Sequence, residues 1–270
     1  MIKSIRKSGI NMKKYTLITG ASSGLGIDFA KEYAQKKENL ILVARRIDRL
    51  NQVKTEIESK YKVDVLVYSL DLNQSANIDQ FFNQLNEEIF VNRLINNAGF
   101  GYSGTFTDMS ETQVKSMISV NIEALTLLTH KVLPNMIKHK TGEILNVGSI
   151  AGFVAGPYMA EYYASKAYVL NYSIALHEEL KEHNIKVSVL CPGPTKTEFF
   201  DVANSQKETK MFDRFMMDSL PVVQKGISDL TQNKPISIVG LSNHSLRLLL
   251  KFVPRTISSK FVGRIQKKSI

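Results

Sequence analysis

The sequence has 270 residues but only one cysteine, Cys191. A single cysteine excludes an internal disulfide framework and favours a reducing, cytoplasmic setting. Cys191 directly precedes Pro192 and Gly193, and we expect it to be a small buried residue rather than a nucleophile. No stretch approaches the ~18 uninterrupted apolar residues of a membrane span, so no spanning helix is predicted.

Patterns for metal and nucleic-acid binding are also missing. The five histidines have no spacing that assembles a metal site, and His177-Glu178-Glu179 is not the zinc-protease helix motif, so no metal is predicted. The formal net charge of +10 is compatible with nucleic acid, an anionic membrane or a polyanionic ligand. Since no basic run is interleaved with aromatics and no zinc-finger or helix-turn-helix pattern occurs, we interpret the charge as a lysine-rich surface and predict no nucleic-acid partner.

Short apolar runs alternate with longer amphipathic segments along the whole chain. Most runs are apolar on both faces, as strands of a covered parallel sheet are. The predicted strands are Tyr15–Thr19, Leu40–Ala44, Val63–Ser69, Arg93–Asn96, Glu143–Val147, Lys186–Cys191 and Ile236–Val239. The repeated strand–helix–strand order predicts the α/β class, with a single doubly wound Rossmann domain and a seven-stranded parallel sheet.

Two of the intervening segments have a clear helical period. Leu50, Val53 and Ile57 fall on one face of a predicted helix. A longer apolar stripe stops at Pro134, where we expect the helix to end. The members of that stripe are Val114, Met117, Ile118, Ile122, Leu125 and Leu128.

The chain is predicted to divide into three parts. Residues 1–12 are basic and lack the apolar centre of a signal peptide, so we expect a disordered extension, with Met12 as an alternative start. Residues 13–240 form the predicted Rossmann domain. Within it, residues 201–233 are polar but carry several Met and Phe side chains, and we interpret them as a mobile substrate lid.

A helical C-terminal extension, residues 241–270, is predicted beyond the last strand, with a kink at Pro254. Apolar residues recur there at helical spacing, with lysines and arginines interspersed. Burial against the protein core or a partner subunit is the favoured interpretation, because apolar helical stripes are usually buried. Reversible peripheral attachment to an anionic membrane is the alternative.

A glycine-rich turn, Gly20-Ala21-Ser22-Ser23-Gly24-Leu25-Gly26, follows the first predicted strand, and a helix is expected to start near Ile27. Glycine allows positive φ and lets backbone N–H groups approach a pyrophosphate without a Cβ in the way. The helix N-terminus adds unpaired donors and the positive end of a dipole. The turn therefore predicts a dinucleotide site that uses Gly20, Ser22, Ser23, Gly24, Leu25 and Gly26.

The second predicted strand ends in Ala44-Arg45-Arg46, where a NAD-binding protein would place an acid on the ribose 2′-hydroxyl. An acid there would repel a 2′-phosphate, whereas arginine offers a planar cation able to bind it with two hydrogen bonds. We therefore predict NADP(H) as the cofactor, with Arg45 as the main contact and Arg46 or Ser22 assisting.

Tyr162 and Lys166 lie four residues apart in a predicted helix, on one face. A nearby ammonium stabilises a phenolate, so we expect Lys166 to lower the pKa of Tyr162. Tyr163 is expected to face elsewhere. Ser149, thirteen residues before Tyr162, ends a strand where its hydroxyl could polarise a carbonyl oxygen. Capping of a turn is the alternative role for this serine.

Taken together, these residues resemble the short-chain dehydrogenase/reductase family over about residues 13–240, in a bacterial branch similar to 3-ketoacyl and hydroxysteroid reductases. The resemblance rests on the turn Thr19–Gly26, Asp71-Leu72, Asn96-Asn97-Ala98-Gly99, Asn121, Ser149, Tyr162-x-x-x-Lys166 and Pro192-Gly193-Pro194-Thr195. It implies that Tyr162 protonates a carbonyl oxygen during reduction, while Lys166 lowers the pKa of that tyrosine and binds the nicotinamide ribose.

The resemblance implies further roles for the same motifs. Ser149 would orient and polarise the substrate, and Asn121 would hold a water that links Lys166 to solvent. Asp71 and Leu72 would meet the adenine of the cofactor. The implied contacts along the rest of the cofactor are Asn97, Ala98, Gly99, Pro192, Gly193 and Thr195.

The activity implied by the resemblance is NADP(H)-dependent interconversion of a carbonyl and a secondary alcohol. The Met and Phe residues of the predicted lid suggest a lipophilic substrate. A catalytically silent NADP-binding regulatory or scaffold protein is the alternative, but the complete Asn-Ser-Tyr-Lys set favours an enzyme. The resemblance also implies a homo-oligomer built on the helices that carry Asn121 and Tyr162. A dimer is favoured over a tetramer, because the C-terminal extension would obstruct one tetramer contact.

Overall fold

The computed structural model describes residues 12–199 and 216–267. Seven parallel strands form one sheet in the order β3-β2-β1-β4-β5-β6-β7. The strands are β1 Lys13–Thr19, β2 Asn39–Ala44, β3 Val65–Ser69, β4 Ile89–Asn96, β5 Gly142–Val147, β6 Ile185–Cys191 and β7 Ile236–Ile238. The predicted fold class, a doubly wound seven-stranded parallel sheet, is confirmed, and each strand overlaps its predicted range.

Helices cover both faces of the sheet. The helices of the Rossmann domain are α1 Gly24–Gln35, α2 Ile47–Tyr61, α3 Ser75–Gln84, α4 Glu111–Ile118, α5 Leu125–His139, α6 Ala160–Glu179 and α7 Ser219–Thr231. Two further helices, α8 Leu241–Leu250 and α9 Arg255–Gln266, form the C-terminal extension on either side of Pro254. Buried residues of α1, α2 and α7 share one apolar cluster, and those of α3, α5 and α6 share another.

Successive side chains of a strand point to opposite faces of the sheet and therefore join different clusters. Leu40 and Leu42 of β2 join the cluster of α1, α2 and α7, whereas Ile41 and Val43 join the opposite one. All four side chains are fully buried. Burial on both faces explains why the strand sequence is continuously apolar rather than alternating. The predicted one-sided stripe of α2, made by Leu50, Val53 and Ile57, is also buried.

Strand β4 begins at Ile89 rather than at the predicted Arg93. Phe90 and Val91 are buried, but the polar pair that follows them interrupts the apolar pattern. Arg93 is accommodated in the sheet by ion pairs with Glu38 and Glu143, the latter at 2.7 Å. A buried cation needs such partners, which come from distant parts of the chain.

The expectation that a helix ends at Pro134 is wrong, because α5 continues to His139 with the proline inside it. Proline removes the hydrogen bond to the carbonyl of His130, four residues earlier. Both Pro134 and His130 are exposed, so water can satisfy the freed carbonyl. The opposite side of the helix stays buried through Val132 and Met136.

Only part of the predicted lid, residues 201–233, lies within the described residues. From Ser219 onward that segment is helix α7, which buries Val222, Val223, Ile227 and Leu230. A helix buried in this way belongs to the domain core, so a lid would have to be confined to the residues before it. Residues 201–215 of the predicted lid, and all of the predicted N-terminal extension except Met12, lie outside the described residues, whereas Met217 pairs with Thr195 after β6.

Candidate active site

The glycine turn after β1 has the backbone that the sequence predicts. Gly20 and Gly24 adopt positive φ, +65° and +51°, a region that favours glycine. A Cβ on Gly26 would lie 2.2 Å from the carbonyl oxygen of Gly20, so the turn can close only with glycine there. Helix α1 begins at Gly24 with Ser23 as its N-cap, three residues before the predicted start, so its first N–H groups belong to the turn.

The end of β4 holds this turn in place. The hydroxyl oxygen of Thr19 accepts hydrogen bonds from the backbone N–H groups of Asn97 and Ala98, at 3.1 and 3.0 Å. The side-chain amide of Asn97 donates to the carbonyl of Thr19 at 2.9 Å. Strands β1 and β4 are neighbours where the strand order reverses, which is where open α/β sheets form their ligand crevice.

A charged cluster lies beside the turn, and we call Ser22, Arg46, Arg49 and Glu198 the arginine corner. Arg46 donates from Nε and Nη2 to the Ser22 hydroxyl, both at 3.3 Å. Glu198 accepts from Arg46 at 2.9 Å and also pairs with Arg49. Arg45 is exposed, and its carbonyl accepts from the Ser69 hydroxyl. The structure therefore brings Arg46, rather than the favoured Arg45, to Ser22.

The residues predicted to meet the adenine follow β3 at the same edge of the sheet. The Asp71 carboxylate accepts hydrogen bonds from the backbone N–H and the side-chain amide of Asn73, at 3.1 and 2.7 Å. Leu72 is buried against the cluster that contains Leu70 and Ile78. These contacts fix the turn between β3 and α3, which follows the carboxyl end of β3.

Helix α6 presents the predicted tyrosine and lysine together. Lys166 Nζ lies 5.8 Å from the centroid of the Tyr162 ring and donates to the carbonyl of Val147 at 2.8 Å. Only 6% of Lys166 is exposed. Burial disfavours the ammonium and lowers the pKa of Lys166 to about 8. A lysine with this pKa can exchange protons near neutral pH.

The Tyr162 hydroxyl has a different electrostatic environment from the expected one. Burial raises the pKa of Tyr162, and a hydrogen bond with Ser149 acts in the opposite direction but does not outweigh it. The expectation of a lowered pKa is therefore wrong for this structure, because desolvation dominates. The phenol is held protonated, as a group that donates a proton must be.

Ser149 caps a turn, which is the alternative role considered for it. Its hydroxyl oxygen accepts from the backbone N–H of Ala151 at 3.1 Å and caps the short 3₁₀ helix Ile150–Phe153. The same hydroxyl acts on the Tyr162 phenol and favours its ionised form, which lowers the pKa of Tyr162. The cap fixes the position of the serine oxygen, and its proton remains able to point toward the phenol or a substrate oxygen.

Asn121 lies in a widened π-helical turn, Ser119–Ala124, between α4 and α5. Its amide group donates to the carbonyl of Phe100 at 2.9 Å and to the Ser165 hydroxyl at 3.1 Å, and its oxygen accepts from the Phe100 N–H at 3.1 Å. A Cβ on Gly99 would lie 3.2 Å from this oxygen and 3.4 Å from Lys166 Nζ. The space beside Gly99, between the Asn121 side-chain oxygen and the Lys166 amine, therefore has room for little more than a methyl group. A bridging water could occupy that space.

Two residues that compete with these assignments point elsewhere. The hydroxyl of Tyr163 accepts a hydrogen bond from Gln266 of α9 at 3.2 Å, so this ring faces the C-terminal extension. Cys191 is fully buried, and burial raises the pKa of its thiol to about 12. A thiol with this pKa is not a nucleophile at neutral pH, as the sequence predicts.

The loop after β6 closes the crevice. Pro192 accepts at its carbonyl from the N–H of Ile150 at 3.0 Å, and the Thr195 hydroxyl donates to the carbonyl of Gly193 at 2.9 Å. A Cβ on Gly193 would lie 2.7 Å from the Asn243 amide, so the N-terminal turn of α8 packs directly on this loop. The loop that carries Pro192, Gly193 and Thr195 therefore lies beside the loop that carries Ser149.

Sequence reasoning missed three residues at the site. Glu198 completes the arginine corner, and the Phe199 ring lies 5.2 Å from the ring of Tyr162. Asn243 comes from the extension, which was treated as separate from the site. Glu198 and Phe199 lie three and four residues after the end of the predicted Pro192–Thr195 motif, and that nearness is the signal that could have found them.

The short chain dehydrogenase family matches residues 14–208 of this chain. The chain belongs to the short-chain dehydrogenase family. This finding confirms the family resemblance predicted from the motifs. Among the described residues of this short-chain dehydrogenase, no group of His, Cys, Asp and Glu side chains could hold a metal ion.

Relatives with known names are reductases and dehydrogenases. The chain is 35% identical over 192 residues to a very-long-chain 3-oxoacyl-CoA reductase of Laccaria bicolor, covering 69% of this chain and 56% of the relative. It is 34% identical over 223 residues to an NADP-dependent 3-hydroxy acid dehydrogenase of Schizosaccharomyces pombe, covering 80% and 85%. The chain thus spans little more than half the length of the first of these relatives. Both come from fungi and lend no support to the predicted bacterial branch.

A solved structure gives a similar comparison. A short-chain dehydrogenase from Sphingobium yanoikuyae in complex with NADPH superposes with a TM-score of 0.79 at 29% identity. The match covers 90% of this chain and 97% of the other. The bound NADPH is a property of the Sphingobium yanoikuyae protein. The fold is common to that protein and to this short-chain dehydrogenase.

Proposed function

We propose that this protein is an NADP(H)-dependent oxidoreductase that interconverts a carbonyl and a secondary alcohol. The observation that carries the proposal is the meeting of Ser149, Tyr162 and Lys166 at the strand ends beside the glycine turn. The Ser149 hydroxyl acts to lower the pKa of Tyr162 there, against the larger effect of burial, and a lysine of lowered pKa lies 5.8 Å from the tyrosine ring. This is an arrangement for moving a proton next to a dinucleotide.

The residues present fit the proposed cofactor. The turn has no room for a Cβ at Gly26, and its glycines adopt the conformations that expose N–H groups to a pyrophosphate. Arg46 and Ser22 would hold the 2′-phosphate of the adenine ribose, since both offer hydrogen bonds and the arginine offers charge. When bound, NADP(H) supplies or accepts the hydride. The relatives that use NADP or bind NADPH support this choice.

The side chains supply the proton and the positioning. During reduction the Tyr162 hydroxyl, kept protonated by its raised pKa, donates its proton to the carbonyl oxygen of the substrate. The Ser149 hydroxyl donates a hydrogen bond to the same oxygen and stabilises its developing negative charge. Lys166 passes a proton toward Tyr162, and Asn121 holds the path from Lys166 to solvent. Oxidation of an alcohol runs through the same groups in reverse.

The proposed substrate is lipophilic. Apolar side chains lie beside Tyr162. A Cβ on Gly101 would lie 2.9 Å from the Phe199 ring and 3.4 Å from both the Met159 side chain and the Tyr162 ring. A wall of this kind favours an apolar chain or ring next to the reacting carbonyl. The name of the Laccaria bicolor relative, a very-long-chain 3-oxoacyl-CoA reductase, supports an acyl substrate.

The proposed assembly is a homodimer in the cytoplasm, formed through the helices that carry Asn121 and Tyr162. Ile118 and Tyr168 on this side of the molecule are 41% and 38% exposed, which is unusual for large apolar side chains. Tyr168 also stacks on Tyr172. A partner subunit packed there would cover the side chains of Ile118 and Tyr168.

A cofactor and substrate screen tests the activity. Ketones, 3-oxoacyl thioesters and the corresponding alcohols are offered with NADPH or NADP⁺, and absorbance of the reduced nicotinamide is followed. We expect turnover of a lipophilic carbonyl with NADPH and much less with NADH. Binding of NADPH without turnover of any compound would support the silent NADP-binding alternative, and failure to bind NADPH would contradict the proposal.

A further inference from the structure

Helices α8 and α9 leave an apolar surface uncovered. Seven of the twelve exposed large apolar side chains among the described residues lie in these helices and the turn between them. Leu241, Phe252 and Phe261 are 87%, 77% and 65% exposed. We call these seven residues the C-terminal surface; they are Leu241, Leu246, Leu248, Leu249, Phe252, Ile257 and Phe261.

The orientation of this surface is fixed by the opposite face of each helix. In α8, Asn243 packs on Gly193, and the Arg247 guanidinium lies 5.6 Å from the centroid of the Phe153 ring. In α9, Gln266 is buried and donates to Tyr163. The favoured expectation, burial of the apolar stripe against the protein's own core, is not met in these helices, because α8 has no buried residue and α9 buries only Ser258 and Gln266. The other face is apolar and points away from the domain.

The charged residues of the C-terminal extension have one sign. Residues 241–270 contain seven lysines and arginines and no aspartate or glutamate. Lys260 and Arg264 lie within one helical turn of Phe261 on the exposed side of α9. An apolar stripe flanked by cations is the pattern of a helix that lies in the interface of an anionic bilayer.

A groove of about 620 Å³ lies under the turn between the two helices. Phe153, Ile174 and Leu250 contribute apolar lining, and Arg247, Lys251 and Arg255 contribute cations. A basic recess beside an apolar surface suits a phosphate headgroup whose acyl chains lie against that surface.

A second copy of the chain fits the surface poorly. In a two-fold dimer the same patch meets itself, so Lys260 and Arg264 of each copy would approach those of the other, and residues 241–270 supply no acid to pair with them. Such like-charge contact opposes association. An anionic lipid surface covers the same apolar residues and neutralises the cations.

We propose that the C-terminal surface docks the protein on an anionic phospholipid bilayer, with α8 and α9 lying in the plane of the headgroups. No helix among residues 12–199 and 216–267 is long and apolar enough to cross a membrane, so the contact is interfacial. This inference goes beyond the proposed oxidoreductase activity and does not depend on it.

Vesicle sedimentation of the full chain tests the docking. We expect the protein to pellet with vesicles of equal parts phosphatidylglycerol and phosphatidylcholine, and to stay in solution with phosphatidylcholine alone. Lys260→Gln together with Arg264→Gln should weaken binding about fivefold per charge removed. Added salt should weaken binding of the unmodified protein in the same direction.

Replacement of apolar residues separates docking from nonspecific charge attraction. Leu241→Ser, Leu248→Ser and Phe252→Ser combined should reduce binding by roughly tenfold or more, because the apolar contact is lost. A matched variant carries Ile47→Ser, Phe106→Ser and Leu220→Ser, three exposed apolar residues elsewhere, and should bind as before. Circular dichroism checks that both variants are folded.

Three results would overturn the proposal. Equal pelleting with both vesicle types would remove the requirement for anionic lipid, and no pelleting with either would remove the membrane itself. A fall in the molar mass of the lipid-free protein in the Leu241, Leu248 and Phe252 variant would show that a second copy covers the surface. Light scattering after size-exclusion chromatography measures that mass.

Discussion

The two ends of the cofactor crevice are built differently. At the catalytic end, Lys166 and Ser165 are buried, and burial shifts the pKa values of Lys166 and Tyr162. At the arginine corner, Arg46, Arg49 and Glu198 keep 40% to 49% of their side chains exposed. Buried groups act without screening, whereas water and salt weaken exposed pairs. Changes at the catalytic end should therefore be large and insensitive to salt, and changes at the corner smaller and sensitive to salt.

The largest expected effect is the loss of the proton donor. Tyr162→Phe should lower kcat by about 10²–10⁴-fold, because the group that donates the proton is removed. The dissociation constant for NADPH, measured by fluorescence titration, should change little. Tyr163→Phe is the matched control, because that hydroxyl contacts Gln266, and it should retain most of the activity. Equal losses in both variants would contradict the assignment.

The lowered pKa of Lys166 predicts a pH dependence. Below pH 8 the amine is charged and can pass a proton toward Tyr162, and above that value it becomes neutral. The kcat for carbonyl reduction should therefore fall as pH rises through about 8. In Lys166→Arg the guanidinium stays charged, so any residual activity should fall only at higher pH. An identical profile in both proteins would show that another group controls the rate.

At the arginine corner, Arg46→Asp should weaken NADPH binding by about 10–100-fold, which corresponds to a lost hydrogen bond to a charged group plus repulsion. Arg45→Asp should weaken it only a few-fold, since its guanidinium is exposed beside the site. NADH affinity should change little in either variant. A larger effect at Arg45 than at Arg46 would restore the order predicted from sequence.

The smallest expected effect is at Glu198. Its carboxylate accepts from Arg46 and Arg49, where a 2′-phosphate would also bind, so the two anions compete. Glu198→Gln should tighten NADPH binding by up to about fivefold, within the range for an exposed ion pair. The gain should shrink at high salt and be absent for NADH. Weaker binding of NADPH would show instead that Glu198 holds Arg46 in position.

Sequence reasoning located the strands and the catalytic motifs because both depend on local patterns. A few consecutive residues are enough to recognise the strand Leu40–Ala44 and the motifs around Gly20 and Tyr162. The partnership of Arg46 and Glu198 could not be found in this way, because 152 residues separate them. The choice between Arg45 and Arg46 also depends on how the chain turns after β2, which their adjacent positions do not reveal.

The error in the pKa of Tyr162 has a related cause. The sequence shows that a cation is one helical turn away, but burial is produced by the whole fold. Pro134 is a similar case, because its tolerance within α5 depends on which face of the helix meets water. In both places a local rule is overridden by the surroundings of the side chain.

The widened turn at Ser119–Ala124 has a consequence for how this region can change by insertion or deletion. A π turn arises when one extra residue is accommodated in a continuous helix. Because the wide turn absorbs that residue, its removal would restore a regular α-helix and leave α4 and α5 near their present relative orientation. Asn121 lies within the turn, so its side chain would be redirected and would lose its hydrogen bond to the Phe100 carbonyl. Length in this segment is therefore as strongly constrained as the identity of the asparagine it carries.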